Sequence, residues 1–108
     1  MQELKAKLDS AFTNVINARK ALLDAKETTI AAKESLRNRE ADLILSGQIV
    51  GKNESERSAY MRSVTKPMLV EVAAAERAER VATLALEMAL DARRNLENML
   101  KIEEIEKW

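Results

Sequence analysis

The chain has 108 residues, eighteen basic and eighteen acidic, with no Cys, no His, two Gly, one Pro and one each of Phe, Tyr and Trp. Ala, Leu, Glu, Lys and Arg dominate, the composition of long helices and coiled coil, which excludes a β or mixed fold. A formal net charge of zero supplies no global field toward nucleic acid or anionic lipid, and without Cys and His there are no disulfides, no thiolate chemistry, and none of the commonest general base and metal ligand.

The first predicted element is a helix from about Gln2 to Leu45. Its apolar positions step by three and four: Leu4, Leu8, Ala11, Val15, Ala18, Leu22, Ala25, Thr29, Ala32, Leu36, Arg39 and Leu43. Large or β-branched residues alternate in this heptad with an alanine row, Ala11, Ala18, Ala25 and Ala32, which lets a partner helix approach closely. A second stripe runs beside it, Ile16, Leu23, Ile30 and Ile44, interrupted at Arg37. Two stripes plus Phe12 cover more than the narrow arc of a two-stranded seam, so this helix is expected to touch two or more neighbours.

The turn is predicted over residues 46–53. Gly47 can take the left-handed conformation that ends a helix. Asn53 followed by Glu56 matches a capping box that starts one. A stop and a start this close predict an antiparallel helical hairpin. Ile49 and Val50 are apolar in an exposed turn, so either they fold back over the hairpin end, the more common use, or they belong to an interface.

The second helix is predicted from about residue 54 to 105, with Pro67 inside it. Proline loses one backbone hydrogen bond and crowds the carbonyl of Ser63, so the helix should kink there, or break with Thr65 capping a new start. Beyond it, alanines recur every seven residues as Ala78, Ala85, Ala92 and as Ala75, Ala82, Ala89. Val81, Met88, Leu96, Met99 and Ile102 are expected to fill the same broad face. Folding at about residue 49 sets Ala25 near Ala74, Ala18 near Val81 and Ala11 near Ala85 to Met88. The helices would be about 65 and 80 Å long, so a tail from about Glu97 to Trp108 should overhang Met1 with nothing of its own chain on it. The whole chain reads as one all-α domain, a coiled-coil-like hairpin assembling into a four-helix or larger bundle. Ile16, Leu23, Ile30, Ile44, Met99, Leu100, Ile102, Ile105 and Trp108 would form the oligomer interface.

No chemistry-bearing constellation rises above the helical pattern. Glu76, Glu79, Glu87, Glu103, Glu104 and Glu106 lack the Glu-x-x-His spacing of bundle metal sites and mostly alternate with Arg or Lys, as on a solvated helix face. No serine sits in a nucleophile motif. Gly51-Lys52 opens a helix, but a phosphate loop needs a glycine where Ser46 stands and a Ser or Thr where Asn53 stands. No catalytic residue, metal or cofactor is therefore assigned. Basic residues gather around the turn, and Arg37, Lys52, Arg57, Arg62 and Lys66 are the candidate contacts to a partner or to nucleic acid. Acidic neighbours interleave and Tyr60 is the one aromatic nearby, which disfavours nucleic acid. No apolar run approaches a membrane span, and the N-terminus lacks a signal-peptide core, so a cytoplasmic protein without membrane contact is expected.

The turn, Gly47-Gln48-Ile49-Val50-Gly51-Lys52-Asn53-Glu54-Ser55-Glu56-Arg57, resembles a segment Gly-x-Ile-x-Gly-Lys-Asn-Glu-x-Glu-Arg of small helical proteins of unassigned role encoded by bacteriophages and prophages. The likeness is specific over about a dozen residues and compositional elsewhere, and Pro67 departs from the unbroken second helix of that group. It implies a phage or prophage origin and a bacterial cytoplasm, and carries over no activity. The expected function is a non-enzymatic protein interaction module, self-associating as a dimer or higher and binding a host protein as adaptor or antagonist, with nucleic-acid binding by the basic turn as the alternative.

Overall fold

The computed structural model describes residues 2–107. Helix α1 spans Gln2–Ser46 and helix α2 spans Glu54–Glu106, and the two pack against each other as an antiparallel hairpin. The chain forms two compact units: a terminal unit of Met1–Asp24 with Glu79–Trp108, and a turn unit of Ala25–Ala78.

The connection is built as its residues dictate. Gly47 has φ +68°, and its N–H donates to the Ile44 carbonyl at 3.3 Å, closing α1. The Asn53 side-chain oxygen accepts from the Glu56 N–H at 2.9 Å, satisfying a first-turn donor of α2. The Glu56 carboxylate accepts in return from the Lys52 N–H at 2.7 Å, one residue earlier than a standard capping box requires. Ile49 is half-buried and Val50 exposed. Helix α2 runs unbroken through Pro67, so no separate helix begins at Thr65. That residue is instead buried, and its hydroxyl donates to the Met61 carbonyl at 2.8 Å.

On α1 the seam follows the three-four series: every position from Leu4 to Leu43 in that series is buried or half-buried. Val15 and Leu43 are the most enclosed apolar side chains, each 1% exposed. Thr29 sits in the same row, its hydroxyl satisfied by the Ala25 carbonyl at 3.1 Å. On α2 the seam is Met61, Thr65, Met68, Val72, Ala75, Glu79, Ala82, Leu86, Ala89, Arg93, Leu96, Leu100 and Glu103, all buried or half-buried.

This corrects the broad face expected of α2. Ala78, Ala85, Ala92, Val81, Met88, Met99 and Ile102 are exposed and lie beside the seam. The register differs as well. In the turn unit Lys33 Nζ lies 3.8 Å from Glu76 Oε1, and in the terminal unit the Arg93 guanidinium carbon lies 5.4 Å from the Phe12 ring centroid. The first contact falls about three helical turns and the second about two turns farther along α2 than a fold at residue 49 would place it. The reason is polarity: Glu54 to Ala59 are all exposed and offer no large apolar group to bury, so pairing begins only near Met61 and Thr65. The hydrophobic pattern sets the register, and the midpoint of the loop does not.

The shift also removes most of the expected overhang. Leu96 lines a shallow groove with Glu3, Ala6, Lys7, Ser10, Ala11 and Asn14 of α1, and Leu100 is half-buried. Leu100 therefore belongs to the intrachain seam and not to an uncovered tail. Trp108 lies outside the described residues.

Candidate interaction faces

The enclosed core is thin. Among the described residues, four apolar ones, Ala11, Val15, Leu43 and Ala75, and two threonines, Thr29 and Thr65, are buried. More of the large apolar side chains lie outside: Phe12, Ile16, Leu23, Ile30 and Ile44 on α1, and Val81, Leu84, Met88, Met99, Ile102 and Ile105 on α2. Of the residues expected at an oligomer interface, all but the half-buried Leu100 and the undescribed Trp108 are exposed in the single chain.

Within the terminal unit these residues form two stripes. Ile16 and Leu23 each follow a seam residue, Val15 and Leu22; Val81 and Met88 each precede one, Ala82 and Ala89. In antiparallel helices a step forward on one and a step back on the other lead to opposite flanks. The α1 stripe and the α2 stripe therefore emerge on opposite sides of the seam. One two-fold contact cannot cover both, a point that the one-dimensional pattern did not reveal.

On the α2 flank each unit carries a groove. In the terminal unit the groove beside Leu96 has a small apolar floor, Ala11 and Ala92, and a polar rim on α1 that includes Ser10 and Asn14. In the turn unit a comparable groove is lined largely by alanines, Ala31, Ala32, Ala74, Ala75 and Ala78. The α1 flank of the terminal unit carries Phe12, under the Arg93 guanidinium. Arg93 also lies 3.6 Å from Glu97 Oε1 through its Nε. Sequence reasoning missed Arg93, Glu79 and Glu103 as seam residues because charged side chains do not mark a seam, although all three are half-buried there and long stems of this kind can cover an apolar row.

The basic residues of the turn unit, Arg37, Lys52, Arg57, Arg62 and Lys66, are all exposed. Exposed Glu54 and Glu56 stand among them, and Glu56 is engaged in the turn itself. Among the described residues, no group of three or more acidic side chains is arranged to hold a metal ion, and no helix is long and apolar enough to cross a membrane. Comparison with protein-family models, with curated proteins and with solved structures gives no match.

Proposed function

We propose that this chain is a non-enzymatic protein–protein interaction module that self-associates into a dimer or larger bundle and serves as a phage-encoded adaptor or antagonist of a host protein. The observation that carries the reading is surface. The chain exposes 8214 Å², whereas a compact folded chain of its 12.1 kDa would expose about 6,000 Å². The excess, roughly 2,000 Å², is of the size that an obligate subunit interface removes from each partner. Its chemistry agrees, because exposed Ile, Leu, Val and Met in continuous rows normally mark an interface. The resemblance at residues 47–57 supports a phage origin and a bacterial cytoplasm as the place of action.

The experiment has two parts. Sedimentation across micromolar concentrations should show a dimer or larger species, and a well-folded monomer throughout would remove the self-association. Affinity capture from nuclease-treated bacterial lysate should enrich one host protein in stoichiometric amount. If nuclease abolishes all capture, and a salt-dependent mobility shift disappears on Lys52→Glu with Arg57→Glu, the basic turn is a nucleic-acid contact and the protein-binding reading fails.

A further inference from the structure

The apolar rows lie uncovered on the single chain, and the α2 row of the terminal unit has a self-complementary pattern. Ala85, Met88, Ala92, Asn95, Met99 and Ile102 follow one another at alternating steps of three and four, which keeps them on one side of α2. All six are exposed, Met88 at 64%, and none is charged. Written in reverse, the row complements itself. Met88 falls opposite Met99, the small Ala85 opposite the large Ile102, and Ala92 opposite Asn95. The flank beside the row obeys the same symmetry. Its one charged residue, Asp91, which also lies 3.6 Å from Arg94 Nη1, meets the amide of Asn98, and Leu84 meets Ile105, so no like charges meet on this flank.

We propose that a second copy of this chain docks on this face, α2 against α2, antiparallel about a two-fold axis passing between Arg93 and Arg94. This inference rests on the self-association proposed above and assigns its geometry. An isologous contact of this kind uses one patch twice and closes at two subunits. It leaves the opposite flank, with Ile16 and Leu23, open to a different partner. Asn95 lies near the axis, where the groove rim of Ser10 and Asn14 offers the second copy's amide polar partners. A single polar residue in an otherwise apolar helix pairing fixes register at some cost in affinity. Asn95 is the residue that would hold this pairing against sliding.

The chain contains no cysteine, so the register can be read by disulfide formation. Met88 and Met99 are about 16 Å apart on one helix, too far to bond to each other or, in this register, to their own counterparts. The double variant Met88→Cys/Met99→Cys should therefore convert to a covalent dimer on mild oxidation. Either single variant should stay monomeric on a non-reducing gel. Single variants that cross-link as readily as the double would overturn the register. A double variant that sediments as a dimer yet does not cross-link would overturn the face while leaving self-association standing. A monomer at every concentration would remove both. As a second measure that leaves the row itself intact, Asn98→Lys should tighten association by about threefold or more through two symmetric pairs with Asp91, and Asn98→Asp should weaken it comparably. Equal effects of the two substitutions would count against the pairing.

Discussion

Gly51 and Gly47 flank the same turn, yet their replacement should have unequal effects. At Gly47, φ is +68° and an added Cβ would meet nothing within 4 Å, so alanine bears only the left-handed strain; at Gly51, φ is +154° and the Cβ would lie 2.7 Å from the Arg57 nitrogen and 2.9 Å from Glu56 Cβ. The neighbour there is backbone at the start of α2, held by the Asn53 cap, and cannot move without undoing that cap. Gly47→Ala should therefore cost about 1 kcal/mol and Gly51→Ala about 1–3 kcal/mol, read from urea midpoints at constant slope. Asn53→Ala should cost about 1 kcal/mol by removing the acceptor of the Glu56 N–H. If Gly47→Ala proves the more harmful, the account of the turn is wrong.

At the scale of the helix, adjacent residues should behave as opposites. Leu43 is enclosed and Ile44 is exposed, so Leu43→Ala should destabilise the single chain by about 2–5 kcal/mol, whereas Ile44→Ala should leave its melting nearly unchanged. Pro67→Ala restores a backbone donor inside a helix that already continues through the site, and should stabilise by up to about 3 kcal/mol with no gain in helical signal. These contrasts also show what could be read in advance. The α1 seam was legible because large side chains mark it at every turn, from Leu4 to Leu43. On α2, two alanine rows, Ala75, Ala82, Ala89 and Ala78, Ala85, Ala92, recur with the same period, and alanine gains too little from burial to identify which row faces inward. Glu79 and Arg93 in the true seam blur the pattern further. The expected register therefore falls short of the observed one, and Leu100, expected in an uncovered tail, is part of the seam beside Leu96.

For the molecule as a whole, the opposite placement of the two stripes separates the contacts that assembly could use. Met88→Glu places a charge on the proposed α2 pairing and should yield a monomer that keeps its helical content. Leu23→Glu lies on the other flank and should permit the pair while preventing growth to anything larger. Both residues are exposed in the single chain, so each variant, studied when dilute, should melt like the parent. Sedimentation equilibrium beside thermal denaturation distinguishes the cases. Loss of the pair in Leu23→Glu with its retention in Met88→Glu would invert the assignment of the two flanks.

The capped turn also bears on the order in which the chain finds its structure. Phe12 and Arg93 are separated by nearly twice as much chain as Lys33 and Glu76, and each doubling of a closing loop costs only about 0.6 kcal/mol. That penalty falls away once the nearer contacts have formed, so zippering outward from Asn53 is the cheaper route. Residues of the turn then act early and those near the termini late. Gly51→Ala and Asn53→Ala should slow refolding, whereas Leu96→Ala should chiefly hasten unfolding, a division that stopped-flow circular dichroism can resolve. The few residues from Lys52 to Glu56 would then set the speed of folding for a chain whose stability is distributed along its whole seam.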